Sequence, residues 1–396
     1  MRGAESGINR NPFPSTVHDI AVVGAGPAGG MAAWRLAQAG HSVVVLEQRR
    51  RVGEPVQCGE SLSEFALRDN GVEPREEFVV RKVAGIRMVG PAGHHFEVEM
   101  PGYCIRRAAF DRHLVGLAVS AGAELRTSTR VLSAVRRDGR WTLATTGGEL
   151  RSRALVAADG PASAIGASLG LGTNPRIGQA ALFRLPPGES LRDDHLAFHM
   201  GSTYTGGYAW CFDRGHELNV GVVATVEPRP LLEAFCRRLG LDPASRTSMA
   251  RGPIPMGGPN PRLAGDGVVT VGDAAGLVNP CSAGGIQAAL HSARVAAGHV
   301  SAALGRDPLG PLDGYERAMR ATPFCDPMLL EGRRLMDIST DADWDGLTGI
   351  LEGQDTKGMT PRRVLLRGVV RPWALRALWR MRRLMPAFRV YAVYGW

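Results

Sequence analysis

A glycine turn between an apolar run and an alanine-rich segment constrains this chain more than any other feature of its sequence. Residues 20–23 are apolar and predict a buried parallel strand, and the turn Gly24-Ala25-Gly26-Pro27-Ala28-Gly29 follows directly. Gly24 permits a tight turn, and Gly26 lets the backbone approach a pyrophosphate. Pro27 fits a first helical turn, where free N–H groups and the helix dipole stabilise phosphate charge.

The next apolar run completes a nucleotide-binding unit. Residues 42–46 predict a second strand, and Glu47 at its end has the spacing expected for an acid that accepts hydrogen bonds from ribose hydroxyls. A glycine trio alone is as typical of an ordinary strand-to-helix turn. Strand, turn, helix, strand and acid occur here in order, so we predict that a dinucleotide binds at this unit.

Two later apolar runs also close on an acid beside a glycine. Residues 155–160 end in Asp159 and Gly160, and residues 267–273 end in Gly272 and Asp273. Such a pair is by itself more often a simple turn. Asp273 can accept hydrogen bonds from ribityl hydroxyls, and the N–H groups of residues 284–285 can approach a pyrophosphate or a flavin. We therefore assign both runs to the nucleotide-binding domain.

The order of the remaining elements predicts an α/β chain with a Rossmann-like domain, an inserted antiparallel-sheet domain and a helical C-terminal region. The nucleotide-binding domain takes 19–74, 103–174 and 256–305, after a loose arm over 1–18. The second, substrate-binding domain takes 75–102 and 175–255, with antiparallel strands near 83–89 and 95–100. Helices are expected near 63–70, from Tyr103 to Ala121, and over much of 306–396.

Charge is concentrated at the C-terminus. Residues 361–396 hold nine arginines and no acid, whereas the rest of the chain holds 38 basic and 38 acidic residues. Apolar residues alternate with these arginines at roughly helical spacing, which predicts a basic amphipathic surface. It fits docking on an anionic membrane, a terminal helix packed on its own domain, or nucleic acid binding. No base-reading module accompanies the charge, so we expect no nucleic acid partner.

The cysteines and the apolar runs indicate the compartment. The six cysteines are scattered, with neither a CxxC pair nor the spacing of metal ligands, so we expect no metal site and a reducing cytoplasm. No apolar run is long enough to span a bilayer. The sequence therefore predicts a cytoplasmic protein that binds a membrane surface at most peripherally.

Three further motifs narrow the prediction: Pro55-Val56-Gln57-Cys58-Gly59-Glu60, Arg107-Ala108-Ala109-Phe110-Asp111 and Tyr208-Ala209-Trp210-Cys211-Phe212. With the glycine turn and the two acid–glycine closures, they make residues 19–305 resemble the geranylgeranyl reductase family, within the flavoproteins built like para-hydroxybenzoate hydroxylase. The Tyr-x-Trp-x-Phe run is the most discriminating motif and resembles the family's substrate-cavity strand. The family commonly has Pro and Gly where this chain has Asp213 and Ala283, which leaves the exact substrate open.

The resemblance implies FAD as cofactor and NAD(P)H or ferredoxin as external electron donor. It implies FAD contacts from Ala28, Glu47, Cys58, Gly59, Arg107, Val131, Asp273, Gly285 and Ile286. From the residues themselves we add Gly24, Gly26, Gly29, Asp159 and Gly272 to the cofactor site.

The activity that the resemblance implies is hydrogenation of carbon–carbon double bonds in a polyprenyl lipid or quinone side chain. Because such an alkene has no polar handle, its cavity should be long and apolar, and Tyr208, Trp210 and Phe212 would share one face of a strand to form a wall. Ordinary core packing is the alternative for this stripe. The catalytic residues stay unknown, with Glu60 and Tyr208 as candidates for the proton donor by position and type.

Two other functions remain open. An aromatic monooxygenase uses the same fold, and fold alone does not decide function. A lipid-binding or electron-carrying flavoprotein would cycle its flavin without changing a bound lipid. Halogenation is disfavoured, since the chain has only the lysines Lys82 and Lys357 and lacks a Trp-x-Trp-x-Ile-Pro motif.

The basic tail gives a first testable prediction. Deleting residues 361–396 should abolish salt-sensitive binding to anionic vesicles, because the tail carries the chain's whole excess of positive charge. Vesicle co-sedimentation at low and high salt measures this. A full-length variant with Arg376, Arg380 and Arg383 changed to Gln keeps the apolar residues and should lose about a third of the salt dependence, because it removes three of the nine arginines. Unchanged binding of the deletion variant would rule out the membrane role.

Overall fold

A computed structural model describes residues 17–353. The strands in this part of the chain are β1 (Val17–Val23), β2 (Val43–Leu46), β3 (Ser61–Ser63), β4 (Val79–Val89), β5 (His95–Ile105), β6 (Glu124–Arg126), β7 (Val131–Arg137), β8 (Arg140–Thr145), β9 (Gly148–Ala157), β10 (Ile177–Leu185), β11 (His195–His199), β12 (Tyr208–Asp213), β13 (Leu218–Ala224), β14 (Ser248–Pro255), β15 (Ala264–Gly265) and β16 (Val268–Thr270). The α-helices are α1 (Pro27–Gln38), α2 (Glu64–Asp69), α3 (Arg107–Ser120), α4 (Ala164–Ser168), α5 (Pro228–Arg238), α6 (Ile286–Ala303), α7 (Asp313–Arg320), α8 (Pro327–Ile338) and α9 (Asp341–Leu351).

The first sheet is Rossmann-like. Its parallel strands run in the order β16, β9, β1, β2, β6, with β15 antiparallel at the edge beside β16. The apolar run 20–23 pairs with 43–46 as the sequence predicts. Helices α1, α3 and α6 pack together in one core with β1. The β7 and β8 hairpin continues antiparallel from β9, and its Trp141 and Leu143 belong to a second core with Ala21 and Leu155.

The second sheet is antiparallel apart from one parallel pair, β4 with β11. Its strand order is β14, β10, β13, β12, β11, β4, β5, β3. Strand β12 is buried on both faces because each face packs against a different layer. Ala209 and Cys211 share a core with Leu232 and Phe235 of α5. The alternate side chains, Tyr208, Trp210 and Phe212, belong to the opposite core.

The C-terminal helices of the described residues back this second sheet. Met336 of α8 and Trp344 and Leu347 of α9 belong to the same core as the aromatic side chains of β12. Helix α9 begins with a capping box, in which Thr340 and Asp343 satisfy each other's backbone N–H groups. The predicted helical character of the C-terminal region is confirmed up to residue 353. The basic tail, 361–396, lies outside the described residues.

Two predicted boundaries differ from the structure. The helix expected from Tyr103 begins only at Arg107, because residues 103–105 extend β5 and pair with β3 and β4. Strand β3 lies within the range 19–74 assigned to the nucleotide-binding domain, yet it pairs in the second sheet. Both errors have one cause: backbone pairing with a distant segment decided the conformation, and nothing in the local pattern indicates it. The predicted antiparallel strands at 83–89 and 95–100 are confirmed as parts of β4 and β5.

No helix within residues 17–353 has the length and apolar character needed to cross a membrane.

The glycine turn gives a stability prediction. A Cβ at position 29 would lie 1.9 Å from the carbonyl oxygen of Gly24. Because both groups belong to the backbone, we expect Gly29→Ala to lower the free energy of unfolding by about 3 kcal/mol or more. Gly298→Ala in α6 is the control, since its Cβ meets nothing within 4 Å; it should stabilise the protein by about 0.5–1 kcal/mol through helix propensity. Urea unfolding measures both, and equal effects would contradict the packing argument.

Candidate active site

Two helix N-termini face one cavity of about 320 Å³ between the two sheets. Helix α1 begins after Gly26 and α6 begins after Gly285, and neither first turn is capped by a side chain. Gly24 has φ +101°, which only glycine adopts readily, and it turns the chain from β1 into α1. Free N–H groups at two helix N-termini together form an anion-binding region.

Asp273 faces the same cavity from the turn after β16. No residue within 17–353 donates a hydrogen bond to its carboxylate, and the nearest strong cation to influence it is Arg107. Burial raises the pKa of the Asp273 carboxyl, and the Arg107 guanidinium opposes that rise. A half-buried carboxylate without a protein donor is free to accept hydrogen bonds from a ligand in the cavity, and hydroxyl groups would supply them.

The aromatic stripe on β12 lines the opposite side of the cavity. Tyr208, Trp210 and Phe212 point to the same face, and Phe198 of β11 packs edge-on to two of them, with ring centroids 5.3 Å from Tyr208 and 5.2 Å from Phe212. Leu182 of β10 also contributes to this apolar side. The Tyr208 hydroxyl donates a hydrogen bond to the Ser282 carbonyl. The cavity therefore has an apolar wall facing the two helix N-termini.

A loop at 54–60 lies between these two sides. Cys58 and Gly59 line the cavity beside Arg107, whose Nε donates to Asp111 Oδ1 at 2.7 Å. Burial alone would lower the pKa of Arg107, but the Asp111 carboxylate and the nearby Cys58 sulfur raise it above its usual value. Arg107 is therefore a fixed cation next to the loop, consistent with a role beside an electron-rich ring.

Glu60 connects this loop to three other elements. Its Oε1 accepts a hydrogen bond from the Arg107 backbone N–H at 2.6 Å. Its Oε2 pairs with the guanidinium groups of Arg184 on β10 and Arg214 after β12. Glu217 completes the cluster by accepting from both guanidinium groups at 3.0 Å. With both oxygens engaged by cations and an N–H group, Glu60 is a buried structural anion.

The structure brings most of the predicted site residues to this cavity. Those that line it are Gly26, Ala28, Cys58, Gly59, Glu60, Arg107, Tyr208, Trp210, Phe212, Asp273, Gly285 and Ile286.

The other predicted residues act around the cavity. Gly24, Gly29 and Gly272 serve close packing; a Cβ at Gly272 would lie 3.0 Å from the Ala28 Cβ. Glu47 closes the glycine turn, since its Oε2 accepts from the Ala25 N–H at 2.9 Å and its Oε1 from the Arg49 N–H.

Asp159 and Val131 do not line this cavity, and their contacts with a cofactor stay predictions. The Asp159 carboxylate accepts hydrogen bonds from the Ser163 hydroxyl and the Ile165 N–H, so it holds the turn that leads into α4. Val131 begins β7, pairs with Thr145 and packs on the core around Trp141. The prediction from spacing placed Asp159 at the right strand end, but its side chain turned to its own following residues, as Asp often does.

Sequence reasoning missed the residues that tie the site together. Arg184, Arg214 and Asn219 are brought there by sheet pairing across long sequence distances, and their local sequence carries no signal for it. Phe198 could have been found from the apolar alternation around it in β11. The position at which the family commonly has Gly and this chain has Ala283 is in the left-handed region. Ala283 has φ +54°, a conformation that glycine adopts with less strain.

The residues fit a flavin dinucleotide. A donor-poor carboxylate at Asp273, two uncapped helix N-termini and a cation at Arg107 provide partners for ribityl hydroxyls, a pyrophosphate and a flavin ring in one continuous cavity. Gly26 has nothing within 4 Å of its Cβ direction, so the backbone there is open to a phosphate.

Comparison with known proteins agrees with this geometry. Residues 22–61 match the family model for an NAD(P)-binding Rossmann-like domain. The chain is 35% identical over 305 residues to digeranylgeranylglycerophospholipid reductase 2 of Methanopyrus kandleri, covering 72% of this chain and 76% of that protein. It is 30% identical over 400 residues to digeranylgeranylglycerophospholipid reductase of Methanothrix thermoacetophila, covering 93% and 99%. A geranylgeranyl bacteriochlorophyll reductase-like protein from Thermoplasma acidophilum has a similar structure, with TM-score 0.81 and 25% identity over 91% of this chain and 98% of that one.

The Glu60 cluster gives a prediction for stability. We expect Glu60→Gln to lower the free energy of unfolding by about 3 kcal/mol, because it removes the more buried of the two carboxylates that pair with the Arg184 and Arg214 guanidinium groups and leaves them only Glu217. Glu227→Gln is the matched control, since its ion pair with Arg251 is about half exposed and should contribute less than about 1 kcal/mol. Chemical denaturation compares the two, and similar losses would show that Glu60 is not the structural anion described above.

Proposed function

The chain belongs to the geranylgeranyl reductase family, and from that premise we propose that it is an FAD-dependent reductase that hydrogenates carbon–carbon double bonds of a polyprenyl lipid. Relatives that cover most of the chain are named for a digeranylgeranylglycerophospholipid, so we propose a lipid of this class, with two geranylgeranyl chains, as the substrate. The observation that carries the proposal is the cavity itself, in which an apolar aromatic wall faces a polar nucleotide-binding side.

The polar side of the cavity would hold FAD. The N-termini of α1 and α6 would bind the pyrophosphate, and the Asp273 carboxylate would accept hydrogen bonds from ribityl hydroxyls. Glu47 has lone pairs beyond those used by the Ala25 and Arg49 N–H groups, which leaves it able to accept from a ribose hydroxyl. Reduced FAD supplies the hydride when it is bound, and the protein binds, orients and shields.

The apolar side would hold the polyprenyl chain. An isolated alkene offers no hydrogen-bonding group near its reacting carbons, so its position depends on shape and on burial of apolar surface. Tyr208, Trp210, Phe212 and Phe198 provide that surface at the side of the cavity opposite the helix N-termini. Their packing against one another keeps the wall rigid.

Neither candidate proton donor is a good acid in this structure. Glu60 is paired with Arg184 and Arg214 and accepts from the Arg107 N–H, so it is held as a carboxylate. Burial raises the pKa of the Tyr208 phenol, and its hydroxyl already donates to the Ser282 carbonyl. We therefore propose that Glu60 has a structural role, that Tyr208 shapes the wall, and that water supplies the proton of the product.

The enzyme would have two further partners, an electron donor and a membrane surface. An external donor, NAD(P)H or ferredoxin, would reduce the flavin between turnovers. We further propose that the basic residues 361–396 hold the enzyme at an anionic membrane, where such a lipid resides; the charge pattern of the sequence supports this.

The decisive experiment follows the flavin and the lipid together. Holoenzyme reduced without oxygen is mixed with a digeranylgeranylglycerophospholipid, and flavin absorbance and lipid mass are recorded. We expect the flavin to reoxidise because the alkene is the electron acceptor. The mass of the lipid should rise by two hydrogen atoms for each double bond that is reduced. The fully saturated lipid is the control and should leave the flavin reduced.

Other outcomes would favour the alternatives. A flavin that stays reduced until oxygen enters, followed by a hydroxylated product, would indicate a monooxygenase. Reoxidation with an unchanged lipid mass would indicate an electron-carrying or lipid-binding flavoprotein.

A further inference from the structure

Strand β13 touches the aromatic wall and the cofactor-side loop at the same time. It pairs antiparallel with β12, so that Trp210 lies opposite Gly221 and Phe212 lies opposite Asn219. Both of these β13 residues lie against the Trp210 indole. None of the mechanism described above uses them.

Gly221 allows the indole to lie flat across the sheet. A Cβ at position 221 would lie 2.1 Å from Trp210 Cζ2, 2.4 Å from Cη2 and 2.6 Å from Cε2. The ring therefore occupies the space that any other side chain at this position would fill. Trp210 is 4% exposed, and its ring is packed between those of Tyr208 and Phe212, so it has no free volume on either side along the strand.

Asn219 fixes the same indole and reaches the loop. It is fully buried, and its Oδ1 accepts a hydrogen bond from Trp210 Nε1 at 3.0 Å. Its Nδ2 donates to the Gly59 carbonyl at 2.8 Å and to the Cys58 carbonyl at 3.2 Å. Only this orientation of the amide pairs every group, because the indole N–H needs an acceptor and the two carbonyls need a donor.

The loop also packs directly on the wall. A Cβ at Gly59 would lie 3.1 Å from a ring carbon of Phe212 and 3.8 Å from Trp210 Nε1. The absence of a side chain at Gly59 therefore brings the loop backbone against the aromatic rings. A single buried amide thus joins the loop to the aromatic wall.

We propose that Asn219 and Gly221, together the β13 clamp, are positioning residues that hold the Trp210 wall and the loop carrying Cys58 and Gly59 at a fixed separation. This rests on the proposed function, in which the wall positions the alkene and the loop lies beside the flavin. Transfer between two bound groups requires the reacting atoms to be about 3–3.5 Å apart, and a shift of about 1 Å can lower the rate a hundredfold. The clamp sets that distance without touching substrate or cofactor.

The Asn219→Asp variant isolates the contact with the loop. Its carboxylate still accepts from Trp210 Nε1 but has no hydrogen to give to the two carbonyls. Arg184, directly opposite on β10, and the neighbouring Arg214 favour an ionised carboxyl, while burial and the acids Glu60 and Glu217 oppose it. Even a neutral carboxyl has a single hydrogen, so at least one of the two carbonyls loses its donor in either state. We expect the rate of Cys58 alkylation, followed by peptide mass analysis, to rise by about tenfold, because two buried carbonyls lose their donor and the loop opens more often.

Activity should separate the two halves of the clamp. In Asn219→Asp we expect kcat to fall by about tenfold or more while KM changes by less than about twofold, because the apolar wall stays in place while the loop at Cys58 and Gly59 is displaced from it. In Gly221→Ala we expect KM for the lipid to rise, since the displaced indole enters the cavity, with Cys58 alkylation unchanged. Trp210→Phe should also leave Cys58 alkylation unchanged, because Asn219 keeps its bonds to the loop.

A matched control tests whether a buried amide matters in itself. Asn70 is also fully buried, and its Nδ2 donates to the Ala66 carbonyl at 2.9 Å and to Gln287 Oε1 at 3.0 Å, neither of which belongs to the loop at 54–60. Asn70→Asp should lower the melting temperature without changing Cys58 alkylation, which is the readout compared because Gln287 lies in the first turn of α6. The proposal is contradicted if Asn219→Asp leaves the rate of Cys58 alkylation unchanged, as Asn70→Asp does. It is also contradicted if Trp210→Phe raises that rate as much as Asn219→Asp.

The alkylation readout does not depend on the reaction. A chain that fails to reduce the lipid but shows the expected Cys58 pattern would overturn the proposed function and keep the clamp. If Asn219→Asp does not fold, Gly221→Ala still decides: an unchanged KM for the lipid would overturn the clamp.

Discussion

The buried carboxylate of Glu60 is the interaction on which the rest of the site depends. One residue of the loop at 54–60 reaches the start of α3 through the Arg107 N–H and the second sheet through Arg184 and Arg214. Taking these charges out of water is costly, and the cost is offset only because Glu217 and the Ile105 carbonyl satisfy the remaining guanidinium donors. The arrangement specifies one way of docking the second sheet on the Rossmann-like sheet, and the cavity is the space left between them.

The two sides of that cavity follow different physical rules. The side formed by α1, α6 and Asp273 recognises its ligand through N–H groups and a carboxylate, which demand particular atoms at particular distances. The side formed by β12 excludes water and recognises shape alone. A redox cofactor and an unfunctionalised hydrocarbon make these opposite demands, and Asn219 of β13 joins the aromatic side to the loop that lies between the two.

The sequence predicts the features whose cause is local. The turn at Gly24 and Gly26 is readable because backbone conformation and helix dipole depend on neighbouring residues, and the stripe of Tyr208, Trp210 and Phe212 is readable because strand side chains alternate. Long-range pairing is not readable in this way. The two arginines that pair with Glu60, Arg184 and Arg214, are separated from it by more than a hundred residues, and the extension of β5 through residue 105 depends on β3 and β4. Asp159 shows a second limit. The sequence places it correctly at the end of a strand, but it does not show that the carboxylate bonds to Ser163 and Ile165.

Arg333 of α8 carries a consequence for the width of the cavity. It is 2% exposed, and its guanidinium donates to the carbonyls of Gly206 and Pro280, which precede the aromatic strand and the segment leading to Ser282. These hydrogen bonds hold the aromatic wall of β12 against α8. The protein interior around them is packed as densely as an organic crystal. A bulkier ligand cannot displace this wall, because the wall would have to move into the space that α8 and α9 fill. The exposed residues Pro55 and Gln57 form the part of the cavity that can move, so a larger ligand would have to be accommodated there.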